Sequence, residues 1–146
     1  MIVVQIAGFS RSGKTEVSLR IAAAAAELGR LAYVKSHHAQ LEREGSNTSR
    51  MADYAALRLL AGSDGTLRLG TREDLTLLLR QAKDAGCAVA IVEGFKRSTG
   101  AKTWLRRDPA DAPPPDVVDV ALDLLGAHAL ALAPGDLWRL LPRREI

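Results

Sequence analysis

A chain of 146 residues with 47% hydrophobic and 25% charged positions has ample apolar surface for a buried core and too much of it to stay disordered. Aromatic residues make up only 4%, so the core must come from Ala, Leu, Val and Ile, and the stacking platforms of a single-stranded nucleic-acid binder are poorly supplied. The net charge of +3 is scattered and suits an anionic ligand as well as DNA, while the lone Cys87 excludes an internal disulfide and a cysteine-based metal cluster.

The N-terminus lacks the basic stretch and cleavage site of a secretory signal, and no apolar run reaches the length of a membrane span. The expectation is a soluble, cytoplasmic protein with no membrane or nucleic-acid partner.

Val3-Val4-Gln5-Ile6-Ala7 reads as a buried strand, and Gly8-Phe9-Ser10-Arg11-Ser12-Gly13-Lys14-Thr15 follows it. That is G-x-x-x-x-G-K-[ST] with a strand before and a helical pattern after, the setting in which it forms a phosphate-binding P-loop. Gly8 and Gly13 let the backbone bend so that the N–H groups of Ser10, Arg11 and Ser12 form an anion nest. The helix N-terminus, where Glu16 sits, adds its amides and the positive end of its dipole. Lys14 is expected to reach the β- and γ-phosphates and to serve catalysis, and the Thr15 hydroxyl to ligate Mg2+.

Glu16 to Leu28 is expected to be the helix, closed by Gly29. Leu31 to Lys35 is a second strand, making a βαβ start that crosses over right-handed into a parallel sheet. Ser36 to Thr48 reads as a loop, and Ser49 to Ala61 returns to helical spacing. Thr66 to Leu69 is a short strand. Thr71 caps a helix running to about Ala85, with Glu73 and Asp74 in its first turn.

Ala88 to Glu93 is continuously apolar until its terminal acid, as a buried parallel strand should be. Lys102 to Arg107 reads as an edge strand and Asp108 to Pro115 as extended chain. Val117 to Leu122 and Ala129 to Ala133 are two short strands, Pro134 to Leu141 is a helix, and Arg143-Arg144-Glu145 frays. Alternating strands and helices give one domain, 1–146, of P-loop NTPase-like α/β type: a doubly wound, mainly parallel sheet with helices on both faces.

Ligands in such sheets sit beyond the carboxyl ends of the strands, so the loops after Ile6, Val34 and Val92 should share one pocket. Glu93 then stands where P-loop proteins place the acid that organises Mg2+, giving it a catalytic and metal-side role. His37 and His38 point apart if extended, so they do not share an ion; one of them could face substrate. Lys96, Lys102 and Arg106 add positive charge for a second phosphorylated molecule or a partner. No Asn-Lys-x-Asp tetrapeptide is present to read guanine, so these residues stop at a nucleoside triphosphate.

The P-loop, Val34-Lys35-Ser36-His37-His38, Gly45-Ser46-Asn47-Thr48-Ser49-Arg50 and Val92-Glu93-Gly94-Phe95-Lys96 together resemble the molybdopterin-guanine dinucleotide biosynthesis protein B (MobB) family. The resemblance runs from Ile2 to about Arg107. It implies a dimeric GTP-binding protein with weak GTPase activity that assists a separate nucleotidyltransferase in attaching GMP to molybdopterin, with GTP and Mg2+ bound. It also implies departures: Asn47 stands where the family usually has aspartate, and Lys35-Ser36-His37-His38 is shorter than the usual Lys-His-x-His-His. The alternatives are a P-loop kinase of small molecules, for which Asp108 to Pro115 is a short and arginine-poor lid, and a nucleotide-dependent metallochaperone using His37 and His38.

Overall fold

The computed structural model describes residues 1–36, 54–61 and 74–146, and for 55–61 the backbone alone. Seven strands and four helices lie along these segments. β1 (Ile2–Gly8) leads through the glycine loop into α1 (Lys14–Ala25), which tightens into a 3-10 turn at Ala26–Leu28. Then come β2 (Leu31–Ser36), β3 (Ala55–Ala61), α2 (Leu75–Asp84), β4 (Val89–Glu93) and β5 (Lys102–Arg106). β6 (Val120–Leu125), α3 (Gly126–Ala131), α4 (Pro134–Leu140) and β7 (Arg144–Glu145) complete the fold.

The sheet order is β3-β2-β4-β1-β5-β6, and all five neighbouring pairs are parallel. β1 is central, so its carboxyl end opens into the crevice between the ends of β4 and β5. The register sets Ile6 level with Glu93 of β4, and Glu93 level with Lys35 of β2. Three strands therefore end side by side.

The period of two along each strand divides the core into two layers. Val4 and Ile6, Leu31 and Tyr33, and Val89 and Ile91 pack with Val17 and Ile21 of α1, Ala129 of α3 and Leu137 of α4. Val3, Ala32, Val34, Ala90 and Val92 pack instead with Leu75, Leu78, Leu79 and Ala82 of α2 and with Cys87. Each fully buried Leu, Ile or Val stabilises the fold by roughly 1.5–3 kcal/mol relative to exposure, so both faces must be covered. The expected doubly wound arrangement is the one observed. Among the described residues, no helix is long and apolar enough to cross a membrane.

Five local expectations are corrected. Residues 55–61 are strand β3, not the end of a helix; pairing with β2 overrides the helix propensity of the Ala- and Leu-rich run. β5 lies between β1 and β6, so the edge on that side of the sheet is β6. β6 itself begins at Val120 rather than Val117. Residues 126–131 form helix α3 where a strand was expected over Ala129 to Ala133, because alanine-rich chain fits a helix covering α1 better than a ladder. The C-terminal tail does not fray: Arg144 and Glu145 pair antiparallel with Val3 and Ile2.

The expected strand at Thr66 to Leu69, the Thr71 cap, Glu73 and most of the loop from Ser36 to Thr48 lie outside the described residues. α2 starts at Leu75 and is capped by Asp74, whose Oδ1 accepts from the Thr76 amide at 3.0 Å.

Candidate functional site: a phosphate loop facing a buried glutamate

The glycine loop is held on three sides. A Cβ on Gly8 would come within 2.5 Å of the Leu105 carbonyl and 2.7 Å of Ser12 Oγ, so only glycine allows the loop to leave β1 this close to β5. Gly13 adopts φ +89°, a left-handed conformation, and caps α1 without any side-chain bond. Gly126, at the start of α3, lies so close that its Cβ would stand 2.1 Å from the Ser12 carbonyl oxygen. Arg11 also has a left-handed φ, +62°, and is exposed with Ser10 at the tip, while Ser12 is buried. The first intrahelical bond runs from the Val17 amide to the Gly13 carbonyl, 2.9 Å. First-turn amides have no acceptor within their own helix, and these follow directly on the loop.

Lys14 reaches back across the loop. Its Nζ donates to the Phe9 carbonyl at 2.6 Å and stands 3.5 Å from Ser12 Oγ. Burial lowers its pKa below that of a free lysine; Glu93 opposes this, and Lys96, Lys35 and Arg107 reinforce it. A negatively charged ligand would relieve the desolvation and repulsion together. Glu16 is exposed in the first turn of α1.

Glu93 ends β4 and is only 3% exposed. By the alternation that places Val89 and Ile91 toward α1, its side chain also faces α1, where Thr15 begins the helix. Thr15 Oγ1 donates to the carboxylate, 3.2 Å from Oε1 and 3.3 Å from Oε2. The Tyr33 hydroxyl donates to Oε2, and Lys35 Nζ lies 3.2 Å from Oε1. Burial, with the nearby Glu93 charge and hydrogen bond, pushes the Tyr33 hydroxyl far above its ordinary pKa, so it stays a donor.

The following loop is fixed from the other face. Gln5 Nε2 donates to the carbonyls of Gly94 and Phe95, both at 3.1 Å, and to Ser98 Oγ at 3.0 Å. The Gly94 amide donates to the Ile6 carbonyl at 2.8 Å, and the Phe95 amide to Ser36 Oγ at 3.2 Å. Phe9, the second residue of the glycine loop, meets Trp104 edge-on at 5.2 Å. The Lys96 ammonium and the Arg107 guanidinium stand 5.0 and 5.4 Å from the centre of its ring. Beside them lies a cavity of about 520 Å³ lined by Phe9, Ser36, Phe95, Lys96, Asp116 and Val117.

The expected site residues divide into three groups. Lys14, Thr15 and Glu93 come together, with Gly8, Ser10, Arg11, Ser12, Gly13 and Glu16 on the loop and first helical turn, and Lys96 stands at the adjoining cavity. Lys102 and Arg106 are held elsewhere. Lys102 is fully buried, and its Nζ donates to the carbonyls of Lys96 (3.3 Å), Val118 (2.8 Å) and Ser98. Arg106 grips Asp123 through two bonds of 2.6 and 2.5 Å and the Pro109 carbonyl at 2.7 Å. His37, His38 and Asn47 lie outside the described residues.

Sequence reasoning gave no role to Tyr33, Lys35 or Gln5. The signal for the first two was present: they stand two residues apart, on the strand face that Glu93 also shares.

The donor set suits a small hard cation accompanied by phosphate. Thr15 and Glu93 bring hydroxyl and carboxylate oxygens to one place, and Mg2+ takes one or two such protein ligands together with water and phosphate oxygens. Thr15 uses its single proton on Glu93, which leaves its lone pairs for a cation. Among the described residues no group of three or more His, Cys, Asp or Glu could hold a metal by itself.

A family model for molybdopterin guanine dinucleotide synthesis protein B matches residues 3–123, which carry both the glycine loop and Glu93. The chain is similar to the crystal structure of Bacillus subtilis MobB, with a TM-score of 0.52 and 26% identity over 76% of this chain and 71% of that one. A second structure of Bacillus subtilis MobB gives 0.46 and 28% over 75% and 67%. A MobB homolog from Bacillus stearothermophilus gives 0.48 and 21% over 86% and 88%. No curated protein sequence matches. With most of its length matched, this chain belongs to the molybdopterin guanine dinucleotide synthesis protein B family, and its role lies in molybdenum-cofactor biosynthesis.

Proposed function

We propose that this protein binds GTP with Mg2+ and assists a separate nucleotidyltransferase in attaching GMP to molybdopterin, acting in the cytoplasm as a homodimer with weak GTPase activity of its own. The observation that carries this reading is the Thr15–Glu93 hydrogen bond, 3.2 Å, at the mouth of the glycine loop with Lys14 beside it. In this reading Thr15 and Glu93 would hold Mg2+, which would supply positive charge against the phosphates.

The chain's own residues do the rest. The loop amides from Ser10 to Gly13 bind phosphate oxygens, with Arg11 at the tip. Lys14 exchanges the Phe9 carbonyl for phosphate. Thr15 offers its hydroxyl oxygen to the cation, and Glu93, clasped by Tyr33, orients Thr15. Lys96 and the cavity beside Phe9 take the pterin phosphate or a partner side chain. The GTPase activity in this reading is weak, as the resemblance implies.

Isothermal titration of the wild type and Lys14→Ala with GTP and ATP tests the nucleotide. Wild type should take GTP in preference to ATP, and the variant should lose at least about 100-fold in affinity, the scale expected for a charge-assisted phosphate contact. Equal binding by the variant, or none by wild type, overturns the reading. Co-purification with a molybdopterin nucleotidyltransferase tests the partner.

A further inference from the structure

Lys35 sits where a free divalent cation would be least welcome. Its Nζ lies 3.2 Å from Oε1 of Glu93, its side chain is 13% exposed, and the pairing of β2 with β4 fixes the two residues at the same level. Four cations act on this corner: Lys14, Lys35, Lys96 and Arg107. Arg107 is answered by Asp111 and Lys96 in part by Asp116, so among the described residues Glu93 is the carboxylate set against both Lys14 and Lys35. Such a corner attracts a polyanion and repels a bare dication, because at these short separations and reduced dielectric the repulsion outweighs a single neutralised carboxylate.

We propose that Lys35 is a positioning residue that makes divalent-cation binding at Thr15 and Glu93 conditional on a triphosphate, by occupying Oε1 of Glu93 and cancelling its charge unless a polyanion supplies the negative charge the cation requires. This rests on the Mg2+–GTP reading of the same site. The ammonium has two possible anions within reach of one strand end, the Glu93 carboxylate and a phosphate chain on the loop. A γ-phosphate draws it away from Oε1 and so releases that oxygen for the cation or its water. A diphosphate brings less charge and releases it less. Lys35 therefore couples three events: cation entry, triphosphate binding and discrimination against GDP.

Mn2+ is the probe, titrated by calorimetry into the full-length protein without nucleotide. Lys35→Met should bind Mn2+ at least about tenfold more tightly than wild type, the gain expected from removing one nearby positive charge. Lys35→Arg, which keeps the charge, should match wild type. The double variant Lys35→Met/Glu93→Gln should lose the gain. With Mg2+ present, the ratio of GTP to GDP affinity should fall about fivefold or more in Lys35→Met. If that variant does not fold by circular dichroism, Lys35→Gln carries the same expectations. Unchanged Mn2+ affinity, a gain that survives Glu93→Gln, or an unchanged GTP-to-GDP ratio overturns the proposal. Wild type that binds no GTP overturns the function proposed above, and the Mn2+ comparison then still decides the role of Lys35.

Discussion

Glu93 and Lys102 are both charged and both buried, 3% and 0% exposed, yet the chain surrounds them with different kinds of partner. Glu93 meets side chains: Thr15, Tyr33 and Lys35. Lys102 meets main-chain carbonyls of the loop after β4 and the segment before β6. Three carbonyls close around its ammonium and the residue is fully buried, so Lys102 ties two loops to β5. A hydroxyl, a phenol and an ammonium can each change partner. Burial of a charge does not by itself mark a binding site; the glycine loop and the convergent side chains around Glu93 do.

The largest effect should come from breaking the fixed case. Lys102→Met removes the ammonium and leaves three inward-facing carbonyls without a donor, which should cost about 3–5 kcal/mol of stability. Urea unfolding should show the loss, while GTP affinity measured well below the transition stays within about threefold of wild type. Loss of GTP affinity at unchanged stability would erase the distinction between the two buried charges. Burial lowers the Lys102 pKa, so between that lowered value and the ordinary 10.5 the unfolded chain binds more protons and stability should rise with pH.

Next in size is Gly94→Ala, which strikes the exchangeable cluster through its backbone. Gly94 has φ +91°, and an added Cβ would lie 2.1 Å from Ser36 Oγ, the acceptor for the Phe95 amide. The strained conformation should cost about 1–3 kcal/mol, read as a lower thermal midpoint. Because Gly94 is joined to Glu93, nucleotide affinity should fall as well. A stability loss with full GTP affinity would show that Glu93 is placed by β4 alone.

These two residues also show where the chain is legible from its letters. The glycine loop, Glu93 and the doubly wound sheet were readable because each is a local pattern: a spacing, an apolar run ending in an acid, an alternation of strand and helix. Lys102 was misjudged for the opposite reason. A lysine in a short strand looks like an exposed edge, and only the placement of β5 between β1 and β6 buries it. The partners that satisfy it come from residues 96–98 and Val118, separated along the chain and brought together by the fold. β3 was missed because Ala55 to Ala61 has a helix former's composition and gains its strand from β2. The tail was missed because two residues carry no periodicity; their pairing is supplied by β1 and the Met1 carbonyl, which accepts from the Ile146 amide at 3.1 Å.

A smaller change sharpens the exchangeable case. Tyr33→Phe keeps the buried ring and removes only the hydroxyl that donates to Glu93. It should cost about 1–2 kcal/mol of stability, the ordinary cost of a buried acceptor losing one donor. The Mg2+ dependence of GTP binding should weaken several-fold, since the carboxylate loses one of the groups that orient it. Absorbance at 295 nm should show no tyrosinate from Tyr33 up to pH 10, because burial and Glu93 push its ionisation far upward. Ionisation near pH 10 would mean that Tyr33 does not share the buried environment of Glu93.

The least effect belongs to a third kind of pair, an exposed arginine held by a buried aspartate. Arg107 clasps Asp111 through Nε at 2.6 Å and a second nitrogen at 2.8 Å, and its guanidinium also lies over Phe9. The Arg107 bonds hold the Asp111 carboxyl down at about 2, below its ordinary 3.8. A depressed carboxylate stabilises the fold above its unfolded pKa and loses that contribution as the pH falls through its folded value, so the pair should persist at pH 4 and open only toward pH 2. A carboxyl-carbon NMR titration of Asp111 should show its midpoint there, and Arg107→Lys, which cannot form the two parallel bonds, should raise it by about one unit. If Phe9 links this pair to the glycine loop, the same variant should weaken GTP slightly through the Phe9 carbonyl that Lys14 holds, whereas Arg106→Lys, bound to Asp123 on the far side of β5, should leave GTP affinity unchanged.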